Sequence, residues 1–164
     1  VPYVDQMFYL LGKTYDKLQT FVPVQDYQID HYKNRFLKYI NPGFIKCVID
    51  ENDELVAFAI TMPSFSNALK KINGKVNFIG KLRLLHAKNF NHKGSLYLIG
   101  VRPDFQNKGV IAILFNELQK FYNKFGITEV ETNPELIENA AIQQLWKNYE
   151  NNQHKNRATF TKVI

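Results

Sequence analysis

The stretch "SLYLIGVRPDFQNKGV", residues 95–110, most constrains what this chain can fold into. Residues 95–102 are apolar on both faces of an extended chain, the pattern of a central strand covered on both sides. Pro103 ends the run, and a polar turn with a single glycine, Gly109, follows. Val110, Leu114, Leu118, Phe121 and Phe125 then recur at helical spacing until Gly126 terminates the pattern. A chain that passes from a buried strand through a tight polar loop into an amphipathic helix calls for a sheet with helices packed on it. At such a junction several backbone N–H groups have no intrahelical acceptor. Their dipoles favour an anion, and a glycine at 109 removes the side chain that would hold a phosphate away. Residues Gln106, Asn107, Lys108, Gly109, Val110 and Ile111 are therefore a candidate anion site, with Lys108 adding charge. The spacing fits neither the nucleotide-binding Gly-x-x-x-x-Gly-Lys-Ser/Thr loop nor a dinucleotide fingerprint.

The flanking sequence supplies the remaining layers. Val4, Met7, Phe8, Leu11, Tyr15 and Leu18 predict one amphipathic helix; Ile29, Tyr32, Phe36 and Ile40 predict a second. The segments "FIKCVID" (44–50) and "LVAFAITM" (55–62), rich in β-branched and aromatic residues, read as a hairpin around the acidic turn "ENDE". "PSFSNALKKI" (63–72) reads as a short helix capped by Ser64 or Ser66, closed by a turn at Asn73-Gly74. The basic, half-apolar segment 76–93 is read as helical. "ITEVET" (127–132) is a short strand, Pro134 lies just inside the start of a following helix, and "NRATFTKVI" (156–164) is a last strand. The order describes an α/β domain around a mixed sheet, taken as one domain over residues 1–164.

Composition narrows the function classes. With 45% hydrophobic and 22% charged residues the chain is globular rather than disordered. No apolar run is long enough to cross a bilayer and no signal peptide is evident, so a cytoplasmic protein with no membrane partner is expected. The one cysteine, Cys47, reads as a buried small hydrophobe, and His31, His86, His92 and His154 show no metal-ligand spacing, so no metal is expected. The acidic run 50–54 lacks the pattern of a calcium loop and reads as a hairpin tip in water. The net charge of +6 admits a phosphorylated small molecule, acidic lipid or nucleic acid as partners, the last through "KLRLLHAKNFNHK" (81–93).

The stretch "LIGVRPDFQNKGVI" resembles the central motif of the GNAT superfamily of acyl-CoA-dependent N-acetyltransferases, with Val101, Pro103, Gln106 and Gly109 at the motif's positions. The order of elements is similar along nearly the whole chain. The resemblance implies a mixed, mostly antiparallel sheet flanked by helices, with a helical insert before the motif strand like that of bacterial members whose substrates are poorly defined. Their acceptor side would be built from such inserts. It also implies that the family's first strand would precede Val1, leaving an exposed sheet edge, and that these residues are the C-terminal part of a longer protein. By the same resemblance the amides of Gln106 to Ile111 would hold the coenzyme A pyrophosphate. Backbone groups of Ile99, Gly100 and Val101 would meet the pantetheine arm, and acyl-CoA would lie between the motif strand and "ITEVET". Asn139 falls where relatives often contact the cofactor. Ile111 replaces the motif's third small residue without removing its amide donor. Trp146 stands where many relatives carry a proton-donating tyrosine, and an indole is no acid near neutral pH. Tyr149, one helical turn on, is the candidate donor.

The implied activity is transfer of an acetyl group from acetyl-CoA to a small-molecule or peptide amine by direct attack in a ternary complex, with Glu131 or a water accepting the proton. Glu129 and Glu131 share a face of the strand, and no nucleophile with a partner base stands out, which suits direct transfer. Two other readings remain open: an acyl-CoA-binding module without turnover, favoured by Trp146, and a basic nucleic-acid-binding domain.

Overall fold

The computed structural model describes residues 2–15, 22–35, 40–137, 139–158, 160 and 162, the side chain of Ala141 excepted. The chain divides into two units, Val1–Glu131 and Thr132–Ile164. In order the elements are α1 (Val4–Tyr15), α2 (Asp26–Arg35), β1 (Ile45–Ile49), β2 (Leu55–Pro63), α3 (Ser66–Lys71), α4 (Phe78–Asn89), β3 (Lys93–Val101), α5 (Val110–Phe125), β4 (Glu129–Thr132) and α6 (Ala140–Trp146). The strands form one sheet in the order β1-β2-β3-β4, with β1–β2 and β2–β3 antiparallel. This is the expected α/β architecture, including the helical insert α3–α4 between the hairpin and β3.

The strand buried on both faces is β2 rather than the expected β3. Helix α1 lies against β2 and β3, and α5 lies against β1 and β2, so β2 is sandwiched by both helices. On one face Met7, Leu10 and Leu11 of α1 pack with Phe58 and Ile60; on the other Val110 and Leu114 of α5 pack with Val56, Ala57 and Val101. Tyr97 of β3 stays 40% exposed. The buried stripe of α5 is Val110, Leu114, Leu118 and Tyr122, a steady four-residue step. Phe121 and Phe125, expected on that stripe, instead meet Phe44, Phe121 edge-on and Phe125 tilted, with ring centres 4.8 and 5.8 Å from it. Cys47 is half-buried against the α1 cluster, and burial pushes its thiol pKa up.

Several boundaries differ from the sequence reading. Ile40 lies in a bend beyond α2, and Leu18 and Phe36 fall outside the described residues. The residue capping α3 is Phe65, which has no side-chain acceptor; Ser64 Oγ accepts from Ser66 N at 3.5 Å from just outside the helix. Asn73 and Gly74 do close α3, both at positive φ, with Gly74 N donating to Leu69 O at 3.2 Å. Pro134 lies in an irregular segment, and α6 begins only at Ala140. Residues 156–158, 160 and 162 form no strand; the other residues of that expected strand lie outside the described ones.

One close approach fixes the register of β3. Gly100 is paired with Phe58, and a Cβ at Gly100 would lie 2.6 Å from Phe58 Cε1, so the aromatic ring occupies the space a side chain would need. Gly100→Ala should therefore cost about 1–3 kcal/mol of stability, and adding Phe58→Leu should recover part of the loss in thermal or urea unfolding. An unchanged midpoint in the single variant would show that the ring yields freely.

Candidate functional site

The strand-to-helix junction is built by local backbone constraints. Arg102 leaves β3 with its N–H still donating to Val56 O at 2.8 Å, and residues 103–105 make a single tight turn. Asn107 and Gly109 both adopt left-handed backbone, with φ of 61° and 77°. The first helical bonds of α5 return to Gly109 O, from Ala112 N at 3.0 Å and Ile113 N at 3.3 Å. Of the six amides expected to face an anion, two are engaged: Gln106 N with Pro103 O at 3.3 Å and Lys108 N with Phe105 O at 3.4 Å. Among the described residues no hydrogen bond holds the N–H of Asn107, Gly109, Val110 or Ile111 to the chain. A Cβ at Gly109 would meet nothing within 4 Å, so the junction opens outward at that residue. Its glycine is required by φ rather than by crowding.

Side chains hold the junction from beneath. Arg102 donates from Nε to Asp104 Oδ1 at 2.9 Å and from Nη1 to Glu54 Oε2 at 3.0 Å, and its Nη2 lies 3.3 Å from Asp50 Oδ2. The acidic turn expected to be a tip in water thus clamps the motif loop. Asp50 also accepts from the N–H groups of Asn52 and Glu54, each at 3.0 Å. The Glu54 N–H foremost, then the Asn52 N–H and Arg102, hold its carboxyl below the usual range against partial desolvation. Phe105 carries the Arg102 guanidinium 4.5 Å and the Lys108 ammonium 5.2 Å from its ring centre. Lys108, expected to add charge at the loop amides, rests on that ring.

The backbone of β3 is partly committed. Ile99 O accepts from Tyr15 Oη at 3.3 Å and Val101 O from Gln106 Nε2 at 3.4 Å, each keeping a second lone pair. The motif glutamine therefore serves the strand end through its side chain. Contacts joining β3 to β4 include several at the strands' starts. Thr128 N and Glu129 N donate to His92 O at 2.9 and 3.2 Å, and Lys93 ion-pairs with Glu129. Glu129 is thereby occupied, and Glu131 is half-buried two residues further along the same face.

Within the C-terminal unit, Asn139 caps α6, its Oδ1 accepting from Ile142 N at 3.4 Å, which leaves its amide hydrogens as donors. Trp146 donates its indole N–H to both oxygens of Glu135, at 3.0 and 2.8 Å. Tyr149 lies in the turn after α6 rather than on the helix, its N–H bonded to Trp146 O at 3.0 Å and its ring edge-on to Trp146 at 6.2 Å. Sequence reasoning missed Arg102, Phe105 and Tyr15. The signal for Arg102 was present: between Glu54 and Asp104 the chain has no acidic residue, and the hairpin order brings position 102 back beside the acidic turn.

The comparisons agree with this architecture. A family model described as the acetyltransferase (GNAT) family matches residues 6–148, and the chain belongs to that family. An aminoglycoside acetyltransferase from an uncultured soil metagenomic sample, solved with sisomicin, is similar over 99% of this chain and 89% of its own, with TM-score 0.62 and 12% identity. AAC(6')-Iy, solved with the bisubstrate analogue CoA-S-monomethyl-acetylneamine, is similar over 99% and 93%, with TM-score 0.57 and 14% identity. A ribosomal-protein-alanine N-acetyltransferase from Brucella melitensis biovar Abortus 2308 is similar over 98% and 94%, with TM-score 0.58 and 13% identity. At such identities the likeness is one of fold. No curated protein matches the chain by sequence.

The Arg102 clamp has a titration signature. A carboxyl with a depressed folded pKa contributes stability that is fully present above its unfolded value, near about 4, and is lost as pH falls through the folded value. In Arg102→Leu the Asp50 pKa should rise yet stay below the ordinary range, because the two N–H donors remain. Carbon-detected NMR titration of Asp50 in both proteins checks this; identical curves would remove Arg102 from the clamp.

Proposed function

We propose that the chain is an acetyl-CoA-dependent N-acetyltransferase acting on a small-molecule or peptide amine. The observation that carries this reading is the set of four unengaged amides, Asn107, Gly109, Val110 and Ile111, at an outward-opening left-handed turn that begins a long helix. Such donors suit the two negative charges of a diphosphate, and the helix dipole adds to them. Gln106 and Lys108 complete the loop, Gln106 by fixing the end of β3. Acetyl-CoA, when bound, supplies an acetyl group activated as a thioester.

The chain's own residues do the rest. Backbone groups of Ile99, Gly100 and Val101 receive the pantetheine amides, those of Ile99 and Val101 through their remaining lone pairs. The half-buried Glu131, directly or through a water, takes the proton an amine must lose to become a nucleophile. Asn139 offers its amide hydrogens to the cofactor, and Tyr149 offers a phenolic proton to the leaving group. The structural neighbours include both aminoglycoside and ribosomal-protein acetyltransferases, and either kind of acceptor fits a direct attack without a covalent enzyme intermediate.

A specific observation favours a second reading, a module that binds acyl-CoA without turnover: at the position where relatives carry a tyrosine, the Trp146 indole is tied to Glu135 and has no acidic proton to give.

Acetyl-CoA should raise the melting temperature of the protein, and Gly109→Val should abolish that shift while costing about 1–2 kcal/mol of stability from the left-handed backbone. A full shift in Gly109→Val would remove the loop from the site. Thiol release from acetyl-CoA with amino-acid, polyamine and aminoglycoside acceptors separates the two readings, because a binding module gives the melting shift and no thiol. Tyr149→Phe and Glu131→Gln should each slow thiol release by about a hundredfold with the acetyl-CoA melting shift retained. Undiminished rates would strip those residues of their roles.

A further inference from the structure

The charge of the protein is concentrated in one place. Residues 64–92 contain six Lys and Arg (Lys70, Lys71, Lys75, Lys81, Arg83 and Lys88) and no Asp or Glu, whereas the rest of the chain has 15 basic and 15 acidic residues. The whole net charge of +6 therefore resides on the helical insert. The insert also presents a run of apolar side chains to water. On α4, Phe78 is 77%, Leu82 52% and Leu85 55% exposed, and Phe90 just beyond is 73% exposed.

The orientation of α4 follows from its inner face. Gly80 is buried because a Cβ there would lie 2.6 Å from Lys75 O, so the preceding turn packs directly on the helix. Leu84 and Ala87 share that inner side at helical spacing and are half-buried. Opposite them lie Phe78, Leu82 and Leu85, flanked by Lys81 and Lys88 on one side and by Arg83 and His86 on the other. Arg83 ties α4 to α3 by donating to Lys71 O at 3.1 Å. Between the two helices a groove of about 470 Å³ is lined by Lys71, Arg83 and His86 together with Asn67, Leu82 and Asn91.

We infer that the α3–α4 insert is an interfacial docking surface for anionic lipid headgroups, with Phe78, Leu82 and Leu85 entering the headgroup boundary and the flanking cations meeting phosphate and carboxylate groups. An outward apolar stripe between rows of cations is the pattern of a helix that lies in a membrane surface without crossing it. Charge complementarity selects this occupant. A second copy of the same face would bring two sets of six cations together, and a nucleic-acid backbone has no use for Phe78, Leu82 and Leu85.

Vesicle sedimentation tests the inference. The chain should bind phosphatidylcholine vesicles containing phosphatidylserine, and bind pure phosphatidylcholine vesicles at least about tenfold more weakly. Lys81→Glu with Lys88→Glu, and separately Phe78→Ser with Leu82→Ser, should each weaken binding to the anionic vesicles by about tenfold or more, with the melting temperature unchanged because these side chains face water. Equal affinity for both vesicle types, no binding to either, or unaltered binding by either variant would overturn the inference. So would a dimer in size-exclusion chromatography that Phe78→Ser with Leu82→Ser dissolves, or tighter binding to an RNA oligonucleotide than to the anionic vesicles.

Discussion

Burial of β2 between α1 and α5 is the constraint on which the first unit depends. Apolar burial is the dominant favourable term in folding, and in this unit it is gathered on one strand whose side chains serve both faces. The position of β3 follows from that strand, because Phe58 lies over Gly100 and sets which residues pair. The exit of β3 follows in turn, since Arg102 still bonds to Val56 O as the chain turns away. The loop amides are thus aimed by a core several residues distant from them.

The loop itself is held by geometry rather than by strong energies. The ion pairs of Arg102 are partly exposed, and solvent screening leaves such pairs little weight in stability. Their importance is positional: three carboxylates and an aromatic ring leave one guanidinium a single arrangement, and that arrangement joins the hairpin tip to the turn before α5. Lys108, drawn onto the same ring, leaves the outward amides as neutral donors. Anion affinity at this junction accordingly rests on peptide dipoles and a left-handed glycine, features that a survey of charged side chains passes over.

The insert and the loop use opposite physics. At the loop, charge is drawn inward and neutralised by carboxylates; on α3–α4 it is left in water beside uncovered apolar side chains. No helix among the described residues is long and apolar enough to cross a membrane, and the stripe on α4 needs no such length to lie at a surface.

The sequence by itself determined the order of elements as far as α6, the strand–turn–helix junction and the glycine at its centre, because period and turn chemistry are local properties that a short window contains. It also carried the family resemblance that the match over residues 6–148 bears out. The tertiary structure decided which strand became the most buried, since that depends on where α1 and α5 cross the sheet. It decided that Phe121 and Phe125 would turn to Phe44 while Tyr122 entered the core, that Asp50 and Glu54 would grip Arg102, and that Trp146 would be spent on Glu135. It also set the outward face of α4. A helical period shows that a stripe exists, and only the packing of Gly80, Leu84 and Ala87 against the rest of the unit shows which side of the helix the water keeps.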